Sequence, residues 1–358
     1  MEDFSFEGRL GSAGTTLRRV GPNHFAAQLG AAPGHDEWCN KCQFTIERHA
    51  AGNELVLDVE FPSPAMSLNE YFMCYSYDGV DWHPANWDKG RNDPDNRTKD
   101  TLRFPKFEHD TVFVGHQVPM SYEDSIALID GWCAAQPSLT STHVLGTSLG
   151  GRDIVRLTVT DSRSPIPRSR RWVHYISNQH PGEHNAQWRM SGMAEWLLGE
   201  EPEAVAARQN GIFHFVFFSS PDAPSNGWYR VAAEGVDMNR SYCVEGAGGT
   251  VPAHLGGDQQ CHEAAVVQKD VEQLMASDEP ITTLWSMHTW TGIVEPILIP
   301  GPEMTDDKLG DWTVLREIMR RHDAESEMTD HEGLATAPDQ GGKLIKPLKT
   351  QEAENSSM

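Results

Sequence analysis

The residues with the clearest chemical meaning are a histidine and a glutamate in the segment His180-Pro181-Gly182-Glu183, which follows directly on an apolar stretch. A neutral imidazole and a carboxylate three residues apart can both reach one ion when a Pro-Gly bend aims them, and both are ordinary ligands of catalytic zinc. An isolated His-x-x-Glu pattern is weak evidence, because a chain with 16 histidines produces it by chance. The segment therefore needs a further ligand nearby before it predicts a metal site.

A second candidate ligand, His288, comes at the end of the apolar run 284–287. Open α/β sheets bind ligands at the carboxyl ends of their strands, so two strand ends would bring His180, Glu183 and His288 to one site. Two histidines and one glutamate leave the fourth zinc position to water. The alternative for His288 is a hydrogen-bonded histidine packed beside the neighbouring tryptophans.

Between these candidates lie two glycine-punctuated segments, 226–230 and 235–240, that contain Arg230, Asn239 and Arg240. Two arginines and an amide in one loop system supply the forked donors that bind a carboxylate. The alternative, arginines on a solvated surface, is the better interpretation of either arginine alone. Together the three residues indicate a binding site for an anionic ligand.

The composition excludes several classes of function. Lys and Arg total 29 against 52 Asp and Glu, and a net charge of −23 would repel a phosphate backbone, so we expect no nucleic-acid partner. The acidic start of the chain lacks the pattern of a signal peptide, and no stretch approaches the roughly 18 apolar residues of a membrane span. We therefore expect a cytoplasmic protein. The six cysteines predict free thiols, including those of the lone Cys-x-x-Cys segment 39–42.

The elements that position these residues fall into two regions. From about residue 40 to 118, apolar residues alternate with a period near two, which is typical of β-strands. The dipeptide Asp78-Gly79 predicts a hairpin turn, and the polar stretch 86–101 predicts a long exposed loop.

After Pro119 the pattern changes, and Ser121 can cap a helix whose apolar residues return at helical intervals. Apolar strands and helical segments then alternate, which predicts an α/β fold with a largely parallel or mixed sheet. The predicted domains are 1–119 and 120–358. Within the second, we predict strands at 154–159, 172–176, 212–218 and 281–287, and helices at about 184–198 and 262–275.

Four ordered motifs resemble those of the zinc metallocarboxypeptidases, specifically the cytosolic carboxypeptidase subfamily. They are His180-Pro181-Gly182-Glu183, Tyr229-Arg230, Val236-Asp237-Met238-Asn239-Arg240 and His288. The resemblance covers roughly residues 40 to 300. It implies an N-terminal antiparallel β-sandwich followed by an α/β carboxypeptidase-like domain with a mixed central sheet.

For the metal, the resemblance implies one Zn²⁺ per chain, held by His180, Glu183 and His288. It also implies that Asp237 accepts a hydrogen bond from His180 and so orients it, a role that is common among carboxylates next to metal-binding histidines.

For the substrate, the resemblance implies that Arg230 polarises the scissile carbonyl. It implies that Asn239 and Arg240 hold the terminal carboxylate of a peptide or protein. Together with the metal, this predicts hydrolysis of the C-terminal peptide bond.

The general base of the family is a late glutamate that closely follows a threonine. Thr350-Gln351-Glu352 is the best match, which makes Glu352 the predicted base, and Glu354 and Glu327 are alternatives. The remaining alternative is a charged, solvated tail with the base missing from this chain.

Two other functions remain open from the sequence. One is a zinc amidohydrolase of small N-acyl amino acids, which the preceding β region and the His-Pro-Gly-Glu form disfavour. The other is a catalytically inactive zinc-bearing peptide-binding module, which is favoured if the base is absent. The preferred C-terminal residue cannot be read from these motifs.

Overall fold

The structure is a computed structural model that describes residues 2–60, 73–85, 99–242 and 260–288. The first region contains β1 (Glu2–Ser5), β2 (Thr16–Gly21), β3 (His24–Gln28), β4 (Ala31–Ala32), β5 (His35–Cys39), β6 (Phe44–Arg48), β7 (Leu55–Glu60), β8 (Met73–Ser76), β9 (Trp82–Pro84), β10 (Lys99–Phe104) and β11 (Val112–His116). The second contains α1 (Tyr122–Ala135), β12 (Thr140–Thr147), β13 (Asp153–Val159), β14 (Trp172–Asn178), α2 (His184–Leu198), α3 (Pro202–Asn210), β15 (Gly211–Val216), α4 (Ala223–Asn226), α5 (His262–Met275) and β16 (Thr283–Met287).

Two sheets in the first region pack face to face on one core. The first sheet, in the order β1-β6-β11-β8-β9, is antiparallel throughout. The second, in the order β10-β7-β3-β2, is antiparallel except that β3 and β7 pair in parallel. Side chains alternate in and out along β7, where Leu55, Leu57 and Val59 are buried. They share a core with Phe44 and Val114 of the opposite sheet, which is the predicted sandwich.

Two details of this region differ from the sequence prediction. Five strands precede residue 40, where no alternation was evident, because strands such as β2 have mostly exposed side chains. The predicted loop 86–101 is also too long at its carboxyl end, since β10 begins at Lys99 and pairs with β7 from Glu60 onwards. The first residues of β10 are polar, which hides the start of this edge strand, whereas Leu102 and Phe104 further along it are buried in the core. The rest of that loop lies outside the described residues.

The second region is built on a mixed sheet in the order β12-β13-β15-β14-β16. Strand β14 lies parallel to both of its neighbours, whereas β12, β13 and β15 pair antiparallel. Helix α1 begins with a capping box, in which Ser121 and Asp124 each accept a hydrogen bond from the backbone of the other. Apolar faces of α1 and α2 pack with the sheet around Leu157, Ile176 and Phe215. The predicted mixed α/β architecture is confirmed.

The two regions belong to one compact unit and are joined by backbone hydrogen bonds. Gly11 donates to Pro224, Ala13 to Asn226 and Lys41 to Gly227, at 2.7–3.0 Å. The predicted boundary between residues 119 and 120 stays a prediction. Among the helices of the described residues, none has both the length and the hydropathy needed to cross a bilayer.

Candidate metal centre

The turn after β14 is fixed by a close approach between two backbone segments. The Gly182 N–H donates to the Tyr229 carbonyl at 2.8 Å. A Cβ at Gly182 would lie 2.5 Å from the Cα of Tyr229 and 2.7 Å from its carbonyl oxygen, so a larger residue would displace one segment. Glycine therefore lets the turn that contains His180 and Glu183 lie directly against the segment that leads to Arg230.

Three predicted ligands converge at the ends of two parallel strands. Strands β14 and β16 pair so that Asn178 lies opposite Met287, which places His288 beside the turn after β14. The distance from His180 Nδ1 to Glu183 Oε1 is 2.8 Å. His288 Nδ1 lies 3.1 Å from His180 Nδ1 and 3.1 Å from Glu183 Oε2. We call His180, Glu183 and His288 the metal centre.

The donor atoms of the metal centre fit a zinc ion in type and spacing. Ligand atoms of a tetrahedral zinc lie about 3.3–3.5 Å apart when the bonds are about 2.0–2.1 Å long. The two imidazole nitrogens face each other at nearly this separation, with a carboxylate oxygen at the third corner. Both His180 and Glu183 are buried, and His288 is partly exposed.

The charges of the metal centre also suit a cation. Burial alone would raise the pKa of Glu183, but His180 and His288 outweigh burial and hold that pKa well below its usual range. Burial lowers the pKa of His288, although Glu183 opposes this shift. The low pKa keeps Glu183 in the charged form that a carboxylate needs in order to bind a metal.

Asp237 connects the metal centre to Arg230 and is fully buried. Its Oδ1 lies 3.0 Å from His180 Nε2 and accepts from the Asn239 backbone N–H at 2.9 Å. Its Oδ2 accepts from Arg230 Nε at 2.7 Å. A proton on His180 Nε2 would be held by Asp237, which leaves the Nδ1 lone pair directed at the metal centre.

A tight turn brings Arg230 back to Asp237. Val231 and Asp237 form an antiparallel bridge, and Gly235 between them has a φ of +73°. A side chain at Gly235 would be strained in this left-handed conformation and would also meet the Pro33 carbonyl. The Asp237 carboxylate and Glu183 raise the pKa of Arg230 against the effect of burial, so the guanidinium stays charged.

Five of the predicted site residues thus lie together: His180, Glu183, His288, Asp237 and Arg230. The backbone of Asn239 joins them through Asp237. Arg240 closes the 3-10 turn Met238–Arg240, but its side chain is outside the described part of the chain. The predicted base Glu352 and its alternatives Glu354 and Glu327 also lie outside the described residues.

Behind the metal centre lies a buried polar group that the sequence analysis missed. Lys41, between the cysteines of the Cys-x-x-Cys segment, is 1% exposed, and its Nζ donates to the Gly182 carbonyl at 2.6 Å. His184 is fully buried, and neither of its ring nitrogens has a hydrogen-bond partner among the described residues. A sequence signal existed, since the polar run Asn40-Lys41-Cys42-Gln43 immediately precedes a buried strand.

Metal-ligating side chains also meet at a second place, where α5 begins. Atoms of Glu234, Cys261 and Glu263 lie within 4.8 Å of one another, and we call these residues the helix-start cluster. Glu234 accepts from the backbone N–H of His262 at 2.7 Å, and Glu263 accepts from that of Leu149 at 3.3 Å. These carboxylates satisfy backbone donors, and the cluster contains no histidine.

Comparison with known proteins identifies relatives of much of the second region. A family model described as zinc carboxypeptidase matches residues 126–330. Cytosolic carboxypeptidase 2 of Danio rerio is 34% identical over 149 residues, which are 40% of this chain and 20% of that protein. Cytosolic carboxypeptidase 2 of Homo sapiens is 30% identical over 146 residues, 40% of this chain and 16% of that protein. The chain thus spans at most about a fifth of the length of these relatives.

Solved structures share the fold over a larger part of the chain. A metallo-carboxypeptidase from Burkholderia cenocepacia superposes with a TM-score of 0.66 at 20% identity, covering 84% of this chain and 76% of that one. A metallo-carboxypeptidase from Pseudomonas aeruginosa gives a TM-score of 0.64 at 20% identity, covering 87% and 77%. At this identity the likeness establishes the fold.

Proposed function

The chain belongs to the zinc carboxypeptidase family, and we propose that it is a zinc-dependent metallocarboxypeptidase that removes the C-terminal residue of peptides or proteins. The observation that carries this proposal is the convergence of His180 Nδ1, His288 Nδ1 and the Glu183 carboxylate, whose Oε1 lies near the first and Oε2 near the second, at distances of 2.8–3.1 Å. The names of the relatives support a cytoplasmic location.

The metal centre would hold one Zn²⁺ per chain. When bound, the ion supplies a Lewis acid that polarises a carbonyl and lowers the pKa of water. Glu183 contributes a charge to balance the ion, and the two imidazoles contribute neutral donors. Asp237 keeps His180 in one tautomer and one orientation, since its Oδ1 accepts the proton on Nε2.

Arg230 would stabilise negative charge that develops on the carbonyl oxygen of the scissile bond. Its Nε is fixed by the buried Asp237 carboxylate, so the guanidinium is oriented before substrate arrives. Such preorganised donors typically contribute more to rate than donors that must reorient during the reaction. Asp237 therefore couples the orientation of His180 to that of Arg230.

Asn239 and Arg240 would hold the terminal carboxylate of the substrate and so restrict cleavage to the last residue. The Asn239 backbone is fixed by Asp237. A guanidinium recognises a carboxylate through two parallel hydrogen bonds, which suits Arg240 to this role.

Glu352 would serve as the general base, with Glu354 and Glu327 as alternatives, on the resemblance of Thr350-Gln351-Glu352 to the family motif. Glu352→Gln should retain zinc and peptide binding and lose about 10²- to 10⁴-fold in kcat. Near-normal turnover would move the role to one of the alternatives.

The decisive experiment compares matched peptides with a free or an amidated C-terminus, using zinc-loaded protein. We expect removal of one residue from the free acid and little from the amide, because the amide lacks the charge that Arg240 would bind. A panel varied at the last position would then give the preferred residue. Equal cleavage of acid and amide would overturn the proposal in favour of another hydrolase.

A further inference from the structure

A lysine from the N-terminal sandwich reaches the turn between two residues of the metal centre. Lys41 follows β5, yet its Nζ donates to the Gly182 carbonyl at 2.6 Å, across 141 positions of sequence. Gly182 lies between His180 and Glu183. The hydrogen bond therefore fixes the backbone from which both side chains project.

The same lysine also holds the opposite segment. Its backbone N–H donates to the Gly227 carbonyl at 2.7 Å, and its Nζ lies 5.8 Å from the centre of the Tyr229 ring. Tyr229 in turn accepts from Gly182 and precedes Arg230. Lys41 thus contacts both segments that meet behind the metal centre: its side chain holds the Gly182 carbonyl, and its backbone holds Gly227.

This arrangement is costly for the fold. Lys41 is fully buried, and transferring a polar or charged amine out of water opposes folding unless its partners compensate fully. Burial lowers the pKa of Lys41 well below its usual range, while Cys74 and Glu183 oppose that shift. The Lys41 amine has an N–H to donate to the Gly182 carbonyl in either protonation state. The contact therefore depends on the length and direction of the side chain rather than on its charge. A methionine of similar length would fill the space without burying an amine, but it would leave the Gly182 carbonyl without this donor.

We propose that Lys41 is a positioning residue of the metal centre, which acts by clamping the Gly182 carbonyl so that His180 and Glu183 keep the geometry that zinc needs. The inference rests on the proposed function, because it takes these residues as zinc ligands. It makes the N-terminal sandwich part of the active site.

The test compares Lys41→Met with wild-type protein. A positioning role predicts that the variant still folds, with a melting temperature in the zinc-free state that is lowered because the buried Gly182 carbonyl loses its donor. It also predicts zinc affinity weakened by about 10- to 100-fold, the usual effect of losing a residue that supports a metal ligand. In the zinc-loaded enzyme, kcat should fall more than KM changes. The visible spectrum of cobalt-substituted protein should shift, since it reports ligand geometry.

A matched control is Arg208→Met, because Arg208 is also a buried cation that binds backbone carbonyls. It donates to Leu197 at 2.9 Å and to Gly199, at the far end of α2. Its replacement should lower the melting temperature and leave zinc affinity unchanged. The control separates loss of a buried cation in general from loss of the clamp.

Lys41→Gln keeps an N–H donor but is one atom shorter, and it replaces Lys41→Met if that variant does not fold. Its zinc affinity should fall between those of wild type and Lys41→Met. If the variant that folds has the zinc affinity and the cobalt spectrum of wild type, the inference about Lys41 is wrong and the proposed function is unaffected. Wild-type protein that binds no zinc would overturn the proposed function as well, so the two failures are distinct.

Discussion

The metal centre and the helix-start cluster both bring together side chains of types that bind metals. They differ in the pKa of their carboxylates and in whether a further side chain orients a ligand. At the metal centre two histidines hold the pKa of Glu183 far below its usual range, and Asp237 fixes one histidine from behind. At the helix-start cluster burial raises the pKa of Glu263 towards the neutral acid. Metal ligands must be deprotonated, so proximity of ligand atoms alone does not indicate a metal site.

The largest expected effect is loss of zinc from the metal centre. His180→Ala and His288→Ala each remove one of three donors, so elemental analysis should fall from about one zinc per chain to near zero. Cys261→Ser in the helix-start cluster is the matched control and should keep full occupancy. Full zinc occupancy in both histidine variants would contradict the assignment of zinc to the metal centre, as would loss of zinc in the control.

The next largest effect is expected from a change in the backbone turn that contains Gly182. A Cβ in Gly182→Ala would collide with the Tyr229 backbone, which must shift the turn holding His180 and Glu183. A displacement of about 1 Å can cost about 10²-fold in turnover. The control is Gly192→Ala in α2, where a Cβ meets nothing within 4 Å and should stabilise the helix by up to about 1 kcal/mol. Equal activity and zinc affinity in the two variants would contradict the role of this close approach.

A smaller effect is expected when only the orienting carboxylate is changed. Asp237→Asn keeps the shape but removes the charge that holds both His180 Nε2 and Arg230 Nε. Zinc affinity should weaken by about 10- to 100-fold, as measured by competition with a chelator. An unchanged affinity together with reduced kcat would show that Asp237 serves Arg230 rather than the metal.

The convergence of His180 and His288 could be predicted from sequence because each follows an apolar run whose end is visible. His180 comes after β14 and His288 after β16, so the rule that ligands gather at strand ends was enough. The polar run 40–43 distinguishes Lys41 in the sequence, but its contact with Gly182 could not be predicted, because that contact depends on how the sandwich packs against the second region. The parallel pairing of β3 with β7 was likewise hidden, because alternating burial is the same for either strand direction.

The smallest effect concerns the helix-start cluster and is a difference in stability that depends on pH. Burial raises the pKa of Glu263 in the folded state, so the folded protein binds this proton more readily than the unfolded chain does. The resulting stabilisation is complete below the unfolded pKa and is lost as the pH rises through the folded one. Glu263→Gln stays neutral and can still accept from the Leu149 N–H, so its melting temperature at pH 7 should be higher than that of wild type.

The difference in melting temperature between Glu263→Gln and wild type should shrink as the pH falls towards about 4, near the ordinary pKa of glutamate. Zinc content should equal that of wild type at each pH where both proteins are folded. A lower zinc content in this variant than in wild type would assign the cluster a metal.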